Sequence, residues 1–379
     1  MDFESAQRYL EKFVSYEKAW DFKYNEKAFD LERVRIFLRE FGVDFGRFKY
    51  FHVGGSKGKG SVCKMIHDYI FRSCCETRTA VGLFLSPHVV SVCERIVVDG
   101  EMILEGEFAL LVEELRSFLE SADASVRALK LTWFEIMFVL ALKYFAEKKC
   151  EYVVLEVGMG GRLDVTNIVT PLVSVLTSLE LEHVNVLGDN LSSIFAEKWG
   201  IKKSGVPIVL NEEMRFFAES ASGFSTAEVF FARNNEEVAK LALIKAGFAI
   251  DENLWSFVVK NFKFIGRYDL REIEGKFVLF DIAHTVKSAE RLVLRLSKEF
   301  PDKEKTFVLG VLKDKNIDGM RKIFEALGRV VFVGGFSERA LSGENYREAF
   351  SREFEKLKKE QILVVTGSSY LVGKILGNF

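Results

Sequence analysis

Short apolar runs alternate with longer amphipathic stretches along the first half of the chain. Runs rich in β-branched and aromatic residues are typical of buried strands, and apolar positions repeated every three or four residues are typical of helices. The helix expected over residues 132–145 is apolar on nearly every face, which indicates that it is buried. The pattern predicts strands over residues 48–53, 79–85, 152–157 and 172–177, and helices over residues 60–73, 132–145 and 191–201.

This alternation is interrupted between residues 206 and 266 and then resumes. Within the interruption, residues 220–226 are mostly small or polar, and helices are predicted over 235–246 and 252–261. We therefore place a domain junction near residues 262–268, which divides the chain into residues 1–263 and 264–379. Beyond the junction the pattern predicts strands over 277–281, 306–311, 330–333 and 362–366, and helices over 286–296, 317–327, 346–357 and 370–376.

The strand–helix alternation predicts an α/β fold, because consecutive parallel strands need a crossover that a helix usually supplies. Continuous apolar strands also indicate a sheet that is covered on both faces. We expect a P-loop-type, mainly parallel sheet with helices on both faces in the N-terminal domain. A smaller, Rossmann-like α/β domain is expected at the C-terminal end.

Composition and charge narrow the class of protein. With 379 residues the chain is long enough for two domains. Its 53 basic and 55 acidic side chains give a net charge of −2, which argues against nucleic acid or an anionic membrane as a partner. No apolar run approaches the roughly 18 residues of a membrane span, and the N-terminus lacks an apolar signal core. The five cysteines contain no C-x-x-C pair, so a reducing, cytoplasmic location is expected.

A glycine-rich segment between a strand and a helix carries the first chemical signal. It reads VGGSKGKGS over residues 53–61. Backbone N–H groups at a helix start point towards an anion, and glycines allow the backbone to approach phosphate oxygens closely. The strict G-x-x-x-x-G-K-[ST] pattern is not met, because Val53 occupies its first glycine position, so a glycine turn without a ligand stays open. The candidate phosphate-binding residues are Lys57, Gly58, Lys59, Gly60 and Ser61.

Further segments place polar residues and glycines at the ends of predicted elements. They read LSPH at 85–88, ERI at 94–96, LEVGMGGRLDVTN at 155–167, LEH at 181–183, AEKWGI at 196–201, GR at 266–267, FDIAH at 280–284, LKDK at 312–315 and VTGSSYLVG at 365–373. In order and spacing these segments resemble the folylpolyglutamate synthase/dihydrofolate synthase family, a branch of the Mur ligases. The resemblance runs from about residue 30 to the C-terminus. It implies the Mur ligase architecture, with an ATP- and folate-binding central domain over residues 1–263.

Glu156 ends a buried strand, at the edge of an α/β sheet where ligands bind. A carboxylate beside a phosphate-binding turn is suited to hold Mg²⁺, although a salt bridge at the strand end is the alternative. The resemblance implies that Glu156 and Ser86 bind the Mg²⁺ between the β- and γ-phosphates of ATP, and that His183 binds a second Mg²⁺. Without the resemblance, Ser86 is equally well read as a turn residue before Pro87.

Lys198 matches the lysine that the family carbamoylates with CO₂. A carbamate turns an ammonium into an anion that supports a metal site, whereas an unmodified Lys198 is an ordinary helix lysine. Together with Lys59 and His183, Lys198 makes up the catalytic set that the resemblance implies.

The remaining implied site residues lie in two groups. In the C-terminal domain Arg267, Asp281 and His284 match residues that complete the ATP site, and an interdomain ion pair is the alternative for Arg267. On the folate or pteroate side, Phe134 is suited to pack on a flat heteroaromatic ring, with a plain core position as the rival interpretation. The residues implied on that side are Thr132, Phe134, Glu135, Leu163, Asp164 and Val165.

Several positions depart from the family pattern. Lys57 replaces an asparagine in the turn, and Glu182 replaces the aspartate before His183. The nearest match to H-Q-x-x-N is residues 235–239, where the asparagine that contacts adenine falls on Val238. In the loop after the strand at 277–281, Ile282 and Thr285 stand where the family has glycine and asparagine. These changes affect base recognition and substrate choice more than the triphosphate and metal machinery.

The resemblance implies an ATP-dependent ligase that joins L-glutamate to a folate through an acyl phosphate, with dihydropteroate as a further candidate acceptor. ATP and Mg²⁺ are the expected cofactors, and a monomer is the expected state. Two alternatives stay open. One is a Mur-type ligase that acts on another carboxylate, and the other is a non-catalytic homologue that binds nucleotide or folate.

Overall fold

The structure is a computed structural model of the chain, and it describes residues 1–15, 29–74, 79–182 and 184–379. Two compact units divide these residues. The first comprises residues 1–88 and 92–262, and the second comprises residues 89–91 and 263–379. Within the described ranges, none of the helices has the length and hydropathy that a membrane span needs.

An eight-stranded sheet forms the centre of the first unit, in the order β4-β3-β2-β5-β1-β6-β7-β8. The six strands from β2 to β8 in this order run parallel, and β3 and β4 are antiparallel at one edge. This arrangement confirms the predicted mainly parallel sheet. The strands are β1 (Lys49–Gly54), β2 (Val81–Phe84), β3 (Ile96–Val98), β4 (Glu101–Met102), β5 (Tyr152–Glu156), β6 (Val173–Leu176), β7 (Ile208–Asn211) and β8 (Val229–Ala232).

The helices of the first unit supply the apolar surfaces that cover this sheet. As predicted, the apolar helix α6 is buried, with residues 136–142 at most 1% exposed. The helices are α1 (Phe3–Leu10), α2 (Leu31–Glu40), α3 (Lys59–Ser73), α4 (Glu105–Ser121), α5 (Ala124–Arg127), α6 (Trp133–Glu147), α7 (Val184–Leu187), α8 (Leu191–Trp199), α9 (Arg215–Glu219), α10 (Asn235–Lys245) and α11 (Glu252–Lys260).

Two differences from the predicted elements concern the edges of the sheet. The strand pattern continues through the predicted interruption, because β7 and β8 extend the sheet in parallel. The antiparallel pair β3 and β4 was not predicted, since three and two residues are too few to show a strand period.

A six-stranded sheet forms the second unit, in the order β13-β12-β11-β14-β10-β9, and apolar clusters pack on both of its faces. It is parallel except for β9 at one edge. The strands are β9 (Asp269–Ile273), β10 (Lys276–Asp281), β11 (Glu304–Leu309), β12 (Arg329–Gly334), β13 (Glu344–Asn345) and β14 (Gln361–Thr366), and the helices are α12 (Val286–Glu299), α13 (Ile317–Glu325), α14 (Tyr346–Lys356) and α15 (Ser369–Leu376). The predicted smaller α/β domain is therefore present.

Candidate functional site

The glycine-rich turn connects the end of β1 to the start of α3. Gly55 and Gly58 have positive φ angles of 132° and 85°, a backbone conformation that side chains with a Cβ rarely adopt. Gly58 is the N-cap of α3 and supplies no side-chain hydrogen bond to the helix start. The first amides of this 15-residue helix therefore lack a side-chain cap, which is the arrangement that binds phosphate oxygens.

A segment that follows β6 holds this turn in place. The Thr177 hydroxyl donates to the carbonyl oxygen of Lys57 at 2.7 Å, and the Lys57 amide donates to Oγ of Ser178 at 2.8 Å. The Glu180 amide donates to Oγ of Ser56 at 3.0 Å. A Cβ on Gly55 would lie 2.2 Å from Oγ1 of Thr177, so only glycine fits against this segment.

An ion pair lies beside the lysines of the turn. Nζ of Lys198 is 2.8 Å from Oε1 of Glu182, and the Lys198 side chain is 1% exposed. Burial lowers the pKa of Lys198, against the attraction of Glu182. Burial also raises the pKa of Glu182, but three nearby lysines outweigh it and hold that pKa at about 2. Those lysines are Lys198, Lys59 and Lys57.

Ser86 and Glu156 meet at the carboxyl ends of β2 and β5. The Ser86 amide donates to Oε2 of Glu156 at 2.9 Å, and both residues are buried. Glu156 also pairs in register with Val53, the residue before the first glycine of the turn. Oγ of Ser86 is buried and has no hydrogen-bond partner in the described part of the chain. The structure therefore brings these two predicted metal ligands together.

Oxygen donors of this kind suit Mg²⁺, which binds proteins through one or two carboxylates and keeps several water ligands. A buried hydroxyl without a hydrogen bond, next to a carboxylate, fits such an ion. His183, the predicted ligand of a second Mg²⁺, lies outside the described residues. Among the described residues, no group of three or more His, Cys, Asp and Glu side chains is placed to hold a metal ion.

The loop after β5 joins the predicted folate side to α8. A Cβ on Gly161 would lie 2.8 Å from the carbonyl oxygen of Glu197 and 3.1 Å from Cα of Lys198, so this glycine allows the loop to pack on the helix of Lys198. Asp164 holds the loop from within. Its two oxygens accept from the amides of Gly158 and Met159, each at 3.0 Å, and from the amide and hydroxyl of Thr166.

Phe134 lies against the same loop. A Cβ on Gly158 would lie 2.6 Å from the Phe134 ring and 3.2 Å from Oδ2 of Asp164, so Gly158 leaves room for both side chains to approach the loop. The ring is partly exposed, unlike Phe138 one turn later, which is fully buried. Phe134 packs against the core cluster and is partly exposed, and its contact with a ligand stays a prediction.

The other residues predicted on the folate side have structural contacts. Thr132 and Glu135 form a capping box at the start of α6, and Glu135 accepts two hydrogen bonds from Arg33 at 2.7 and 2.8 Å. Leu163 and Val165 are buried apolar residues. The contact of these four residues with a ligand stays a prediction.

In the second unit, the predicted ATP residues cluster at the end of β10. Asp281 accepts from the amides of Tyr268 and Ala283, each at 2.8 Å, and burial raises its pKa while Arg267 is among the groups that lower it. Nδ1 of His284 lies 2.8 Å from the carbonyl oxygen of Ile282 and so carries the proton that it donates. Asp281 thus holds the backbone that carries Arg267.

The departures from the family pattern have identifiable surroundings. Val238 is fully buried in α10 and offers no polar atom to a base. Three residues earlier, Asn235 places its amide nitrogen 2.2 Å from the position of a Cβ on Gly58, against the phosphate-binding turn. Thr285 caps α12, and Ile282 is buried, so both substitutions have a local structural role.

Two buried residues with no role assigned from the sequence complete the site region. Arg95, from the ERI segment, is 1% exposed and donates to Nδ1 of His88. His52, in β1, is fully buried, and its Nε2 lies 2.8 Å from the Thr166 hydroxyl. The unusual position of His52 within an apolar strand was the one sequence signal available for it.

Comparisons with known proteins identify the family of the chain. The family model of the Mur ligase middle domain matches residues 113–271. The dihydrofolate synthase/folylpolyglutamate synthase of Escherichia coli is 31% identical over 322 residues, which cover 76% of this chain and 73% of the relative. The enzyme of that name from Bacillus subtilis is 29% identical and covers 96% of this chain and 99% of the relative.

Solved structures confirm the architecture over the whole chain. The structure of E. coli FolC in complex with DHPP and ADP superimposes with a TM-score of 0.80 at 25% identity, covering 99% of this chain and 97% of that one. Folylpolyglutamate synthase from Thermotoga maritima superimposes with a TM-score of 0.76 at 25% identity, covering 99% and 96%. The predicted two-domain Mur ligase fold is therefore correct.

Proposed function

This chain belongs to the dihydrofolate synthase/folylpolyglutamate synthase family, and from that premise we propose that it is an ATP-dependent ligase that joins L-glutamate to a folate. The observation that carries the proposal is the position of Glu156. It lies in register with Val53 at the glycine turn and accepts the amide of Ser86. A carboxylate and a buried hydroxyl without a hydrogen bond thus lie at neighbouring strand ends, next to the strand that leads into the glycine turn, which suits the binding of triphosphate and Mg²⁺.

The proposed reaction has two steps. A carboxylate oxygen of the folate attacks the γ-phosphorus of ATP, the bond from that phosphorus to the β-γ bridging oxygen breaks, and ADP leaves with the electron pair. The amine of L-glutamate then attacks the acyl carbon, phosphate leaves, and the nitrogen loses a proton. Phosphorylation is needed because oxide is a poor leaving group.

The residues of the first unit have distinct parts in this reaction. The amides at the start of α3 and the ammonium of Lys59 bind and orient the phosphates, aided by Gly58, Gly60 and Ser61. Lys57 adds a second cation near the same position, since both lysines act on Glu182. Phe134 is proposed to lie against the pterin ring.

Mg²⁺ supplies charge neutralisation of the triphosphate when it is bound. Oγ of Ser86 and the Glu156 carboxylate would hold it, and their fit rests on the buried hydroxyl that lacks a hydrogen bond. His183 is proposed as the ligand of a second ion. In the second unit Arg267, Asp281 and His284 are proposed to contact the nucleotide.

A carbamate on Lys198 is part of the proposal. The neutral amine attacks CO₂, a nitrogen–carbon bond forms and one proton is released, and the lowered pKa of the buried amine favours this step. The ion pair between Glu182 and the Lys198 ammonium must break before the carbamate forms. A carbamate signal in ¹³C NMR spectra recorded with labelled bicarbonate, absent from Lys198→Met, supports the modification, and equal spectra for the two proteins contradict it.

The function is tested by ADP release from purified protein with MgATP and L-glutamate. Tetrahydrofolate, dihydropteroate and a muramyl peptide are compared as acceptors. Release with tetrahydrofolate is expected, and release with dihydropteroate identifies the second activity. Release with the muramyl peptide alone indicates a Mur-type ligase, and no release with any acceptor indicates a non-catalytic homologue.

The cysteine pattern supports a cytoplasmic location for this activity, because the four cysteines in the described part of the chain are free thiols. A monomer is proposed as the working state. Light scattering during size-exclusion chromatography measures the mass directly, and a dimer mass would contradict this proposal.

A further inference from the structure

Arg95 is a buried arginine at the end of a short 3-10 turn, Val92–Arg95, directly before β3. It is 1% exposed and is the one arginine classed as buried in the described ranges. Removing a guanidinium from water costs several kcal/mol unless its donors are satisfied. The contacts of Arg95 should therefore show what stabilises its buried guanidinium.

The contacts of Arg95 lie on both sides of Ser86. Its carbonyl oxygen accepts from the amide of Leu85 at 3.1 Å, and its Nε donates to Nδ1 of His88 at 2.9 Å. Leu85 precedes Ser86, and His88 follows it by two residues. One residue thus fixes the backbone before the serine and the side chain after it.

Trp133 also contacts the guanidinium of Arg95. The central carbon of the Arg95 guanidinium lies 4.7 Å from the centroid of the Trp133 ring, within the range of a cation–π contact. Trp133 is the first residue of α6, the helix that carries Phe134. The planar guanidinium can stack on this ring and donate along its edge at the same time, whereas a lysine ammonium lacks the flat face.

The contacts of Arg95 with Leu85 and His88 restrict the orientation of Ser86 between them. The Ser86 amide is bound to Glu156, and Leu85 and His88 on either side are bound to Arg95, so the backbone of the loop is held before, at and after the serine. Because Nδ1 of His88 accepts a hydrogen bond, its ring proton lies on Nε2 when the ring is neutral. Arg95, Trp133 and Glu156 thus come from three separate segments of the chain that meet near the loop of residues 85–88.

We infer that Arg95 is a positioning residue for ATP cleavage, which holds the loop of residues 85–88 so that the Ser86 hydroxyl and the Glu156 carboxylate present their oxygens together. This inference rests on the proposed function, since it assigns Arg95 to the same nucleotide site. Arg95 acts through Ser86 and does not touch the reacting atoms.

The inference is tested with Arg95→Met and Arg95→Lys, and with Arg116→Met as the control. Arg116 lies on α4, is 42% exposed and pairs with Glu113, so its replacement removes an arginine that takes no part in the contacts around Ser86. Two quantities are measured: the Mg²⁺ concentration that half-saturates ADP release, and the extra thermal shift that Mg²⁺ adds to stabilisation by ADP.

For Arg95→Met we expect at least a fivefold rise in the half-saturating Mg²⁺ concentration, a kcat lowered at least tenfold and loss of most of the Mg²⁺-dependent thermal shift. For Arg95→Lys we expect values of these three quantities between those of the parent and Arg95→Met. The lysine ammonium can still donate to His88 but cannot stack on Trp133. KM for the folate should change less than twofold. A folded Arg95→Met protein with the parent's Mg²⁺ dependence overturns the inference.

A second variant covers the case in which Arg95→Met fails to fold. His88→Ala removes the acceptor of Arg95 at a partly exposed position, and we expect a smaller change of the same kind. Unchanged Mg²⁺ dependence in His88→Ala then overturns the inference. The thermal shift needs no acceptor substrate, so a parent protein that binds MgADP but releases no ADP from ATP contradicts the proposed function alone.

Discussion

The backbone amide of Ser86 donates a hydrogen bond to Oε2 of Glu156 across 2.9 Å. The contact joins the ends of two neighbouring strands whose residues are 70 positions apart in the chain. Oγ of Ser86 is also buried and has no hydrogen-bond partner in the described part of the chain. The contact therefore places a hydroxyl-bearing residue and a carboxylate-bearing residue at the same end of the sheet.

Replacement of Glu156 by Gln should abolish most of the ATP-dependent activity. Glutamine keeps an oxygen for the Ser86 amide but loses the charge that holds Mg²⁺. A loss of about 3 kcal/mol of transition-state stabilisation corresponds to a rate about 100-fold lower. ADP release at saturating substrates measures the effect. Glu151→Gln, at an exposed ion pair with Lys49, is the matched control, and equal rates for the two variants would contradict the role of Glu156.

Gly55→Ala should destabilise the chain and disrupt nucleotide binding. A Cβ at Gly55 meets Oγ1 of Thr177 at 2.2 Å and its amide nitrogen at 2.9 Å. Gly205→Ala is the matched control, because Gly205 has a φ of 75° and nothing within 4 Å of its Cβ position. The positive φ costs each variant about 1–2 kcal/mol, and overpacking adds roughly 1–3 kcal/mol at Gly55 alone. Urea unfolding and ADP titration measure these effects, and similar results for both variants would show that the turn tolerates the methyl group.

His52 should make the protein less stable in acid. Burial, with a contribution from Lys203, lowers the pKa of His52 to about 3, from an unfolded value near 6.5. Between these values the unfolded chain binds the extra proton, so stability present above pH 6.5 is lost as the pH falls towards 3. The slope is at most about 1.4 kcal/mol per pH unit.

His52→Gln tests this dependence, because glutamine can still donate to the Thr166 hydroxyl but does not titrate. Free energies of unfolding are compared at pH 7.5 and pH 4.5. The parent should lose roughly 2–3 kcal/mol more than the variant over this interval. Equal losses would mean that His52 is protonated in the folded state.

Phe134→Leu should weaken folate binding without a large change in stability. A lost ring contact of about 1–1.5 kcal/mol raises the KM for the folate about tenfold and leaves the KM for ATP unchanged. Phe138→Leu is the matched control, since both rings lie 5.7 Å from Phe84 but Phe138 is fully buried. It should lower stability by about 1 kcal/mol with little effect on either KM. A folate KM that rises equally in both variants would place Phe134 in the core alone.

Local patterns predicted much of the fold because they repeat within one element. The buried strand before the glycine turn and the mostly apolar helix α6 follow directly from the spacing of their apolar residues. The strands β7 and β8 were missed because the residues between them are mostly small and polar. Their parallel pairing comes from neighbours in the sheet, which leave no local period.

The site shows the same division. The glycine turn and Glu156 could be singled out from the sequence pattern, and Ser86 and Lys198 from the resemblance to the family. The ion pair of Lys198 with Glu182 could not, because it depends on how α8 packs beside the segment after β6. Thr132 and Glu135 form a capping box at the start of α6, and this local role does not show whether either residue also contacts a ligand.

By itself, the sequence determined the order of the elements, the kind of sheet and the residue types available for chemistry, since backbone preferences and apolar periods act over a few neighbouring residues. Only the tertiary structure decided which groups meet. Arg95 contacts the residues on both sides of Ser86, and Asp164 accepts hydrogen bonds within the loop that Phe134 contacts. Such pairings join distant segments, and their geometry exists only after the strands have taken their register and the helices have packed on them.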